Sequence, residues 1–189
     1  MSRLLSADFA RLFKNKYFWI CSIFLAGFGI FMQVMNYVSC VSMDTVPHPD
    51  TIFFASSLLT GILLSAFVSL FIGTEYSDGT MRNKLVIGHT RYSIYLSGLI
   101  TCIAAGLLMC LICIVASVAV GLPLSGFFES DIRLIISTAL GIAAASTAFA
   151  SLCTLTAMVC QNRAVTAVIN ILLVFFLLFS AIYIRARLD

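Results

Sequence analysis

Charge is what this sequence has least of. Only 10% of its 189 residues are Asp, Glu, Lys or Arg, where a soluble domain carries about a quarter. So few ionic groups cannot cover a water-facing surface, which excludes a soluble domain. Neither an HExxH nor a GxSxG pattern occurs, so the usual signatures of zinc- and serine-dependent hydrolysis are missing. The chain also has no GxxxxGK[ST] loop, and therefore no Gly-rich cradle with which to hold ATP itself. Proline is confined to Pro47, Pro49 and Pro123, all between or at the ends of long apolar runs. No internal repeat, low-complexity tract or appended polar domain interrupts the pattern. The seven cysteines lie in or at the edges of apolar segments, with Cys110 and Cys113 at i,i+3. That is the setting of small buried hydrophobes rather than of a disulfide framework or a zinc site.

What the chain has in abundance is hydrocarbon: 61% of residues are hydrophobic and the mean hydropathy is +1.09. Five apolar runs reach or exceed the ~20 residues that cross a bilayer core, over residues 17–40, 51–72, 94–122, 132–160 and 164–184. The expected fold class is all-α, a polytopic membrane helix bundle forming one transmembrane domain. The first run is too long for a signal peptide and lacks a small-residue cleavage site, so it is expected to stay in the mature protein. Ahead of it, residues 2–16 form an amphipathic prelude. Leu5, Phe9, Leu12 and Phe13 make one stripe while Arg3, Arg11 and Lys14 project elsewhere. That pattern fits an interfacial helix or a positive-inside anchor. Tyr17, Phe18 and Trp19 then open the first span as an aromatic belt.

Inside the spans the polar residues are neutral. Gln33 and Asn36 in the first, Ser56, Ser57 and Thr60 in the second, and Asn170 in the fifth are candidates for a substrate path or for helix–helix hydrogen bonds. The middle of the fourth span is built of Gly, Ala and Ser, which suggests a helix enclosed by others. Bulky residues over 171–179 suit a lipid face or a subunit interface. The loop around Asp44, His48 and Asp50 has no Lys or Arg and reads as external. With the N-terminus inside, eight basic residues collect on the cytoplasmic side against three outside. His48 and His89 then fall on opposite sides of the membrane, which argues against a shared metal or catalytic site.

One stretch is more than a turn needs: Gly73–Ser97, GTEYSDGTMRNKLVIGHTRYSIYLS. Asp78-Gly79 makes a turn, Thr80 is placed to cap a short helix over Met81–Ile87, and Gly88 stops it. Met81 and Leu85 share a face, with Arg82 and Lys84 angled away. Arg91, Tyr92 and Tyr95 anchor the next span at the interface. The run Glu75-x3-Gly79-x2-Arg82, the segment GTMRNKL and the later Arg91-x3-Tyr95 resemble the ABC-2 type permeases. The span order resembles them over nearly the whole chain.

That resemblance implies a transmembrane permease subunit of an ATP-driven ABC transporter, not itself an enzyme. The segment 73–93 would be its cytoplasmic coupling element. Glu75, Gly79 and Arg82 would carry the junction with an ATP-binding subunit, with Thr80, Asn83, Lys84 and Leu85 as contacts. ATP and Mg would sit on that partner subunit, with no cofactor in this chain. Two ATP-binding subunits and a second permease chain, identical or related, are expected in a bacterial plasma membrane. An uncharged cavity suits a hydrophobic or amphipathic cargo such as an antimicrobial peptide, a drug or a lipid, moved outward. The family usually has six spans, so five imply either an incomplete chain or a shortened relative. The rival readings are an ion-coupled carrier or channel, disfavoured by the lack of ionisable residues at mid-membrane, and a non-transporting assembly or sensor subunit.

Overall fold

The computed structural model describes residues 2–42, 49–125 and 132–188. Among them the chain forms seven α-helices and no strand: α1 (Ser2–Lys14), α2 (Lys16–Ser42), α3 (Pro49–Ser77), α4 (Thr80–Val86), α5 (Arg91–Ser125), α6 (Ile132–Cys160) and α7 (Arg163–Leu188). Five helices, α2, α3, α5, α6 and α7, are long and apolar enough to cross a membrane. Only helices satisfy every backbone group within the segment, which hydrocarbon demands. The external loop read around Asp44 and His48 lies outside the described residues.

Helix α3 is the axis of the bundle and packs against α2, α5, α6 and α7. Its face Leu64, Phe67, Val68, Phe71 and Ile72 is fully or almost fully buried. Phe67 stacks on Phe71 with centroids 5.5 Å apart and meets Phe18 of α2 edge-on at 5.9 Å. Phe18 therefore points into the core, while Tyr17 and Trp19 on either side stay exposed. The expected three-residue aromatic belt is thus a pair. Helices α2 and α5 meet along a regular ladder one turn apart. The Cys113 thiol donates to the Leu25 carbonyl at 3.7 Å. Next, Gly29 faces Ser117, where a Cβ would press on the hydroxyl. One turn on, Gln33 lies over Gly121, within 3.2 Å of where a Cβ would stand. Glycine on alternate helices lets each larger partner fit.

Several hydroxyls inside the spans are spent on their own helices. Ser69 donates to the Ser65 carbonyl at 2.7 Å, Thr101 to Ser97 at 2.9 Å and Thr154 to Ala150 at 2.7 Å. Such back-bonding makes Ser and Thr tolerable away from water. Helix α6 corrects one expectation. Ser146, Ala150, Cys153, Thr154 and Ala157 pack inward, but Gly141, Ala144, Ala145 and Ala148 are exposed. The small residues are therefore only partly enclosed within this chain, with one small face left open. On α7, Leu172, Phe176 and Phe179 are exposed, a bulky outer face like that of α2.

Candidate coupling site

Helix α4 sits at the end of α3, between two glycines whose backbones demand glycine. Gly79 has φ +70° and Gly88 φ +96°, the left-handed region that costs other residues free energy. Gly79 holds the N-cap position, and no side chain caps the helix. Thr80, expected as the cap, is the first helical residue instead, and its hydroxyl donates to the Glu75 carbonyl at 3.0 Å. At the other end the amide of Gly88 donates to Leu85 O at 3.0 Å and that of His89 to Lys84 O at 3.2 Å. This is a Schellman closure, which needs the left-handed residue at Gly88. Thr90 then caps α5, accepting from the Ser93 amide at 3.3 Å.

Beneath α4 lies a closed ionic cluster drawn from four elements. Lys84 Nζ donates to Asp8 Oδ1 of α1 at 2.9 Å and to Glu75 Oε1 and Oε2 of α3 at 3.1 and 3.3 Å. Arg11 of α1 pairs with Glu75, donates to Thr74 Oγ1 at 3.1 Å, and lies over the Phe71 ring at 5.1 Å. Ser97 of α5 donates to Asp8 Oδ2 at 2.6 Å. Asp8 and Glu75 are only 3% and 4% exposed, so each buried carboxylate has to be paired. Two acids and two bases balance, and together they fasten α1, α3, α4 and α5 at one end of the bundle.

The cluster revises the expected roles. Lys84 does not project away with Arg82; Met81 and Lys84 form the inward face of α4, and Leu85 is 41% exposed. Glu75 turns inward and offers no atom to a partner in this conformation. On α1 the inward stripe is Leu4, Asp8 and Leu12, with Arg11 beside it, while Phe13 is exposed. Arg11 was expected to project outward, and Asp8 was not singled out. The available signal was the i, i+4, i+8 spacing of Leu4, Asp8 and Leu12, with a base three residues after the acid. What α4 does present outward is Arg82, Asn83, Val86 and Ile87, the last two 81% and 77% exposed.

The polar span residues fall on separate seams. Gln33 lies between α2 and α5, where among the described residues its Oε1 and the nearby Ser117 Oγ, both buried, make no hydrogen bond. Asn36 accepts from the Cys40 thiol at 3.7 Å on α2 itself. Thr60 is buried on α3; Ser56 and Ser57 belong to the same helix, but their side chains lie outside the described residues. Asn170 is fully buried and spent inside the chain. It donates to Ser69 Oγ at 2.8 Å and Cys153 O at 3.3 Å, and accepts from Thr156. It is a knot between α3, α6 and α7, with no polar atom left for cargo here.

A bundle of five membrane-crossing helices, with an amphipathic helix and a short polar helix joined at one end, defines a multi-pass helical membrane protein. Its sequence matches the model of the ABC-2 family transporter protein over residues 4–181, and the chain belongs to that family. It is a permease subunit of an ABC transporter, a transport component rather than a catalyst, and the family implies association with an ABC ATP-binding subunit. No curated protein and no solved structure matches it.

Proposed function

We propose that α4 is the coupling helix, docking on a separate ATP-binding subunit through Arg82, Asn83, Val86 and Ile87, with Leu85 at the edge. The observation that carries this is the contrast between its two faces. Val86 and Ile87 form an exposed apolar tip, while Lys84 on the other side is fastened to α1 and α3. A tip that is apolar outside and ionically anchored inside transmits force instead of folding away. Glu75, Gly79, Thr80 and Lys84 then act from within, holding the helix at its angle. ATP and Mg belong to the partner, and nucleotide-driven closure of two such subunits would push α4 and α1 together. The N-terminus and α4 would face the cytoplasm of a bacterial cell, in agreement with the distribution of basic residues.

The cargo is proposed as hydrophobic or amphipathic, a peptide, drug or lipid moved outward between two permease chains, identical or related. The α2–α5 seam supports a path there. Buried polar atoms without partners, such as Gln33 Oε1 and Ser117 Oγ, cost about 1–3 kcal/mol each, a cost relieved whenever the seam opens to cargo or water. The test of coupling is co-purification. Val86→Asp with Ile87→Asp should leave insertion and the melting temperature unchanged and release the ATP-binding subunit. Retention at the wild-type level would remove the docking role from α4.

A further inference from the structure

Beside α4, on the flank next to its docking tip, a cavity of about 770 Å³ opens between the ends of α3, α4, α5 and α6. Arg82 and Arg91 stand on its wall, and among the described residues no Asp or Glu lines it. Both arginines are exposed, and among the described residues neither makes a hydrogen bond or ion pair. The contrast with Arg11 and Lys84, which are fully engaged a short way off, is sharp. The floor is apolar, made by Met81, Ile94 and Met158, with Tyr76 and Tyr95 at the sides. The Tyr76 hydroxyl is held against the Met158 carbonyl at 3.2 Å, which fixes that wall. The cavity lies at the bundle end marked by the exposed Tyr92, where aromatic side chains sit at headgroup level.

We propose that this cavity binds the headgroup of an anionic phospholipid, with the phosphate between Arg82 and Arg91 and the glycerol and upper acyl chain over Met81, Ile94 and Met158. Two guanidiniums without an ion-pair partner among the described residues are matched by a phosphate diester, which takes planar, charge-assisted hydrogen bonds. An apolar floor adjoining those charges distinguishes a lipid from a small inorganic anion, and from an acidic peptide that would need polar groups along its whole length. Basic pockets between membrane helices on the anionic leaflet are suited to such headgroups. The site shares Arg82 and Leu85 with the edge of the docking face proposed above but leaves Val86 and Ile87 outside it, so a lipid would steady α4 from the side while the apolar tip stays free.

The experiment uses the full chain in mild detergent with phosphatidylglycerol or phosphatidylcholine, counting retained lipid by native mass spectrometry and following the melting temperature. The wild type should retain phosphatidylglycerol over phosphatidylcholine. Arg82→Gln with Arg91→Gln should weaken that retention about thirty-fold, from the contribution of two interfacial cations. Neither arginine holds another side chain, so the variant should melt like the wild type without lipid. Arg82→Lys with Arg91→Lys should keep part of the preference, and Lys14→Gln with Lys16→Gln, on another part of the same end, should keep all of it. Equal retention of both lipids by the wild type would overturn the site. So would a preference untouched in the double Gln variant, or lost equally in the Lys14 and Lys16 control. A melting shift given by inorganic phosphate alone as large as that by phosphatidylglycerol would replace the lipid with a free anion. If the double Gln variant keeps its lipid but loses the ATP-binding subunit, the arginines belong to docking and the lipid proposal fails.

Discussion

Asp8, Arg11, Glu75 and Lys84 are four ionisable residues in a chain that can accommodate few. The near-complete burial of the two acids sets what substitution does to the cluster. Removing one partner strands the opposite charge, which costs about 3–5 kcal/mol for a buried pair; Lys84 and Arg11 keep 17% and 31% side-chain exposure, so the lower end applies. We predict that Asp8→Asn and Lys84→Met each lower the melting temperature of the purified chain, and that the double variant loses less than the sum. A double-mutant cycle measures this coupling, and additive losses would mean that the two groups do not act as a pair. Gln33 behaves oppositely. Gln33→Leu removes a buried amide whose oxygen has no partner, so stability should hold or rise by about 1 kcal/mol. If the seam carries cargo, transport by the reconstituted complex should fall even so; unchanged transport would take Gln33 off the path.

At the scale of elements, the four helices at the α4 end form one mechanical piece. Asp8 of α1 reaches Ser97 of α5, Arg11 reaches Glu75 of α3, and Lys84 of α4 reaches both acids. A push on the α4 tip is therefore felt by α1, by the end of α3 and by the start of α5 at once. The prediction is that Lys84→Met leaves the ATP-binding subunit bound but uncouples it. Association should survive because Val86 and Ile87 are untouched, and stimulation of ATP hydrolysis by cargo should disappear. Persistent stimulation would show that force passes through the backbone turn at Gly79 without the ionic cluster. The existence of α4 was legible from its punctuation, since Asp78-Gly79 and Gly88 mark both ends. Which of its faces turns inward was not. Met81 with Leu85 and Met81 with Lys84 are both neighbouring pairs on a helix, and the choice was made by Asp8 and Glu75 from other helices.

For the whole molecule, the exposed small face of α6 and the bulky faces of α2 and α7 are two different kinds of surface. Large apolar side chains suit fluid lipid, whereas Gly141, Ala144, Ala145 and Ala148 favour close approach of another helix. The proposed orientation is tested by labelling single cysteines introduced into a chain whose native cysteines have been replaced. Ile87→Cys, on the exposed tip of α4, should react only from the cytoplasmic side, and His48→Cys only from outside. The reverse result would invert the topology and move the coupling helix away from any cytosolic ATPase.

The sequence alone determined that this protein is a helical bundle in a membrane, because crossing hydrocarbon requires long uninterrupted apolar runs with internally satisfied backbones, and both are local properties. It also carried the family, through the punctuated segment after Glu75. Only the tertiary structure decided which polar residues are turned inward and which are offered outward. Asp8, some ninety residues from Ser97, gains its partners only when α1 lies along α5. Asn170 becomes a knot only when α3, α6 and α7 converge. A buried charge or amide is stable only beside groups that satisfy it, and in this chain those groups come from distant helices.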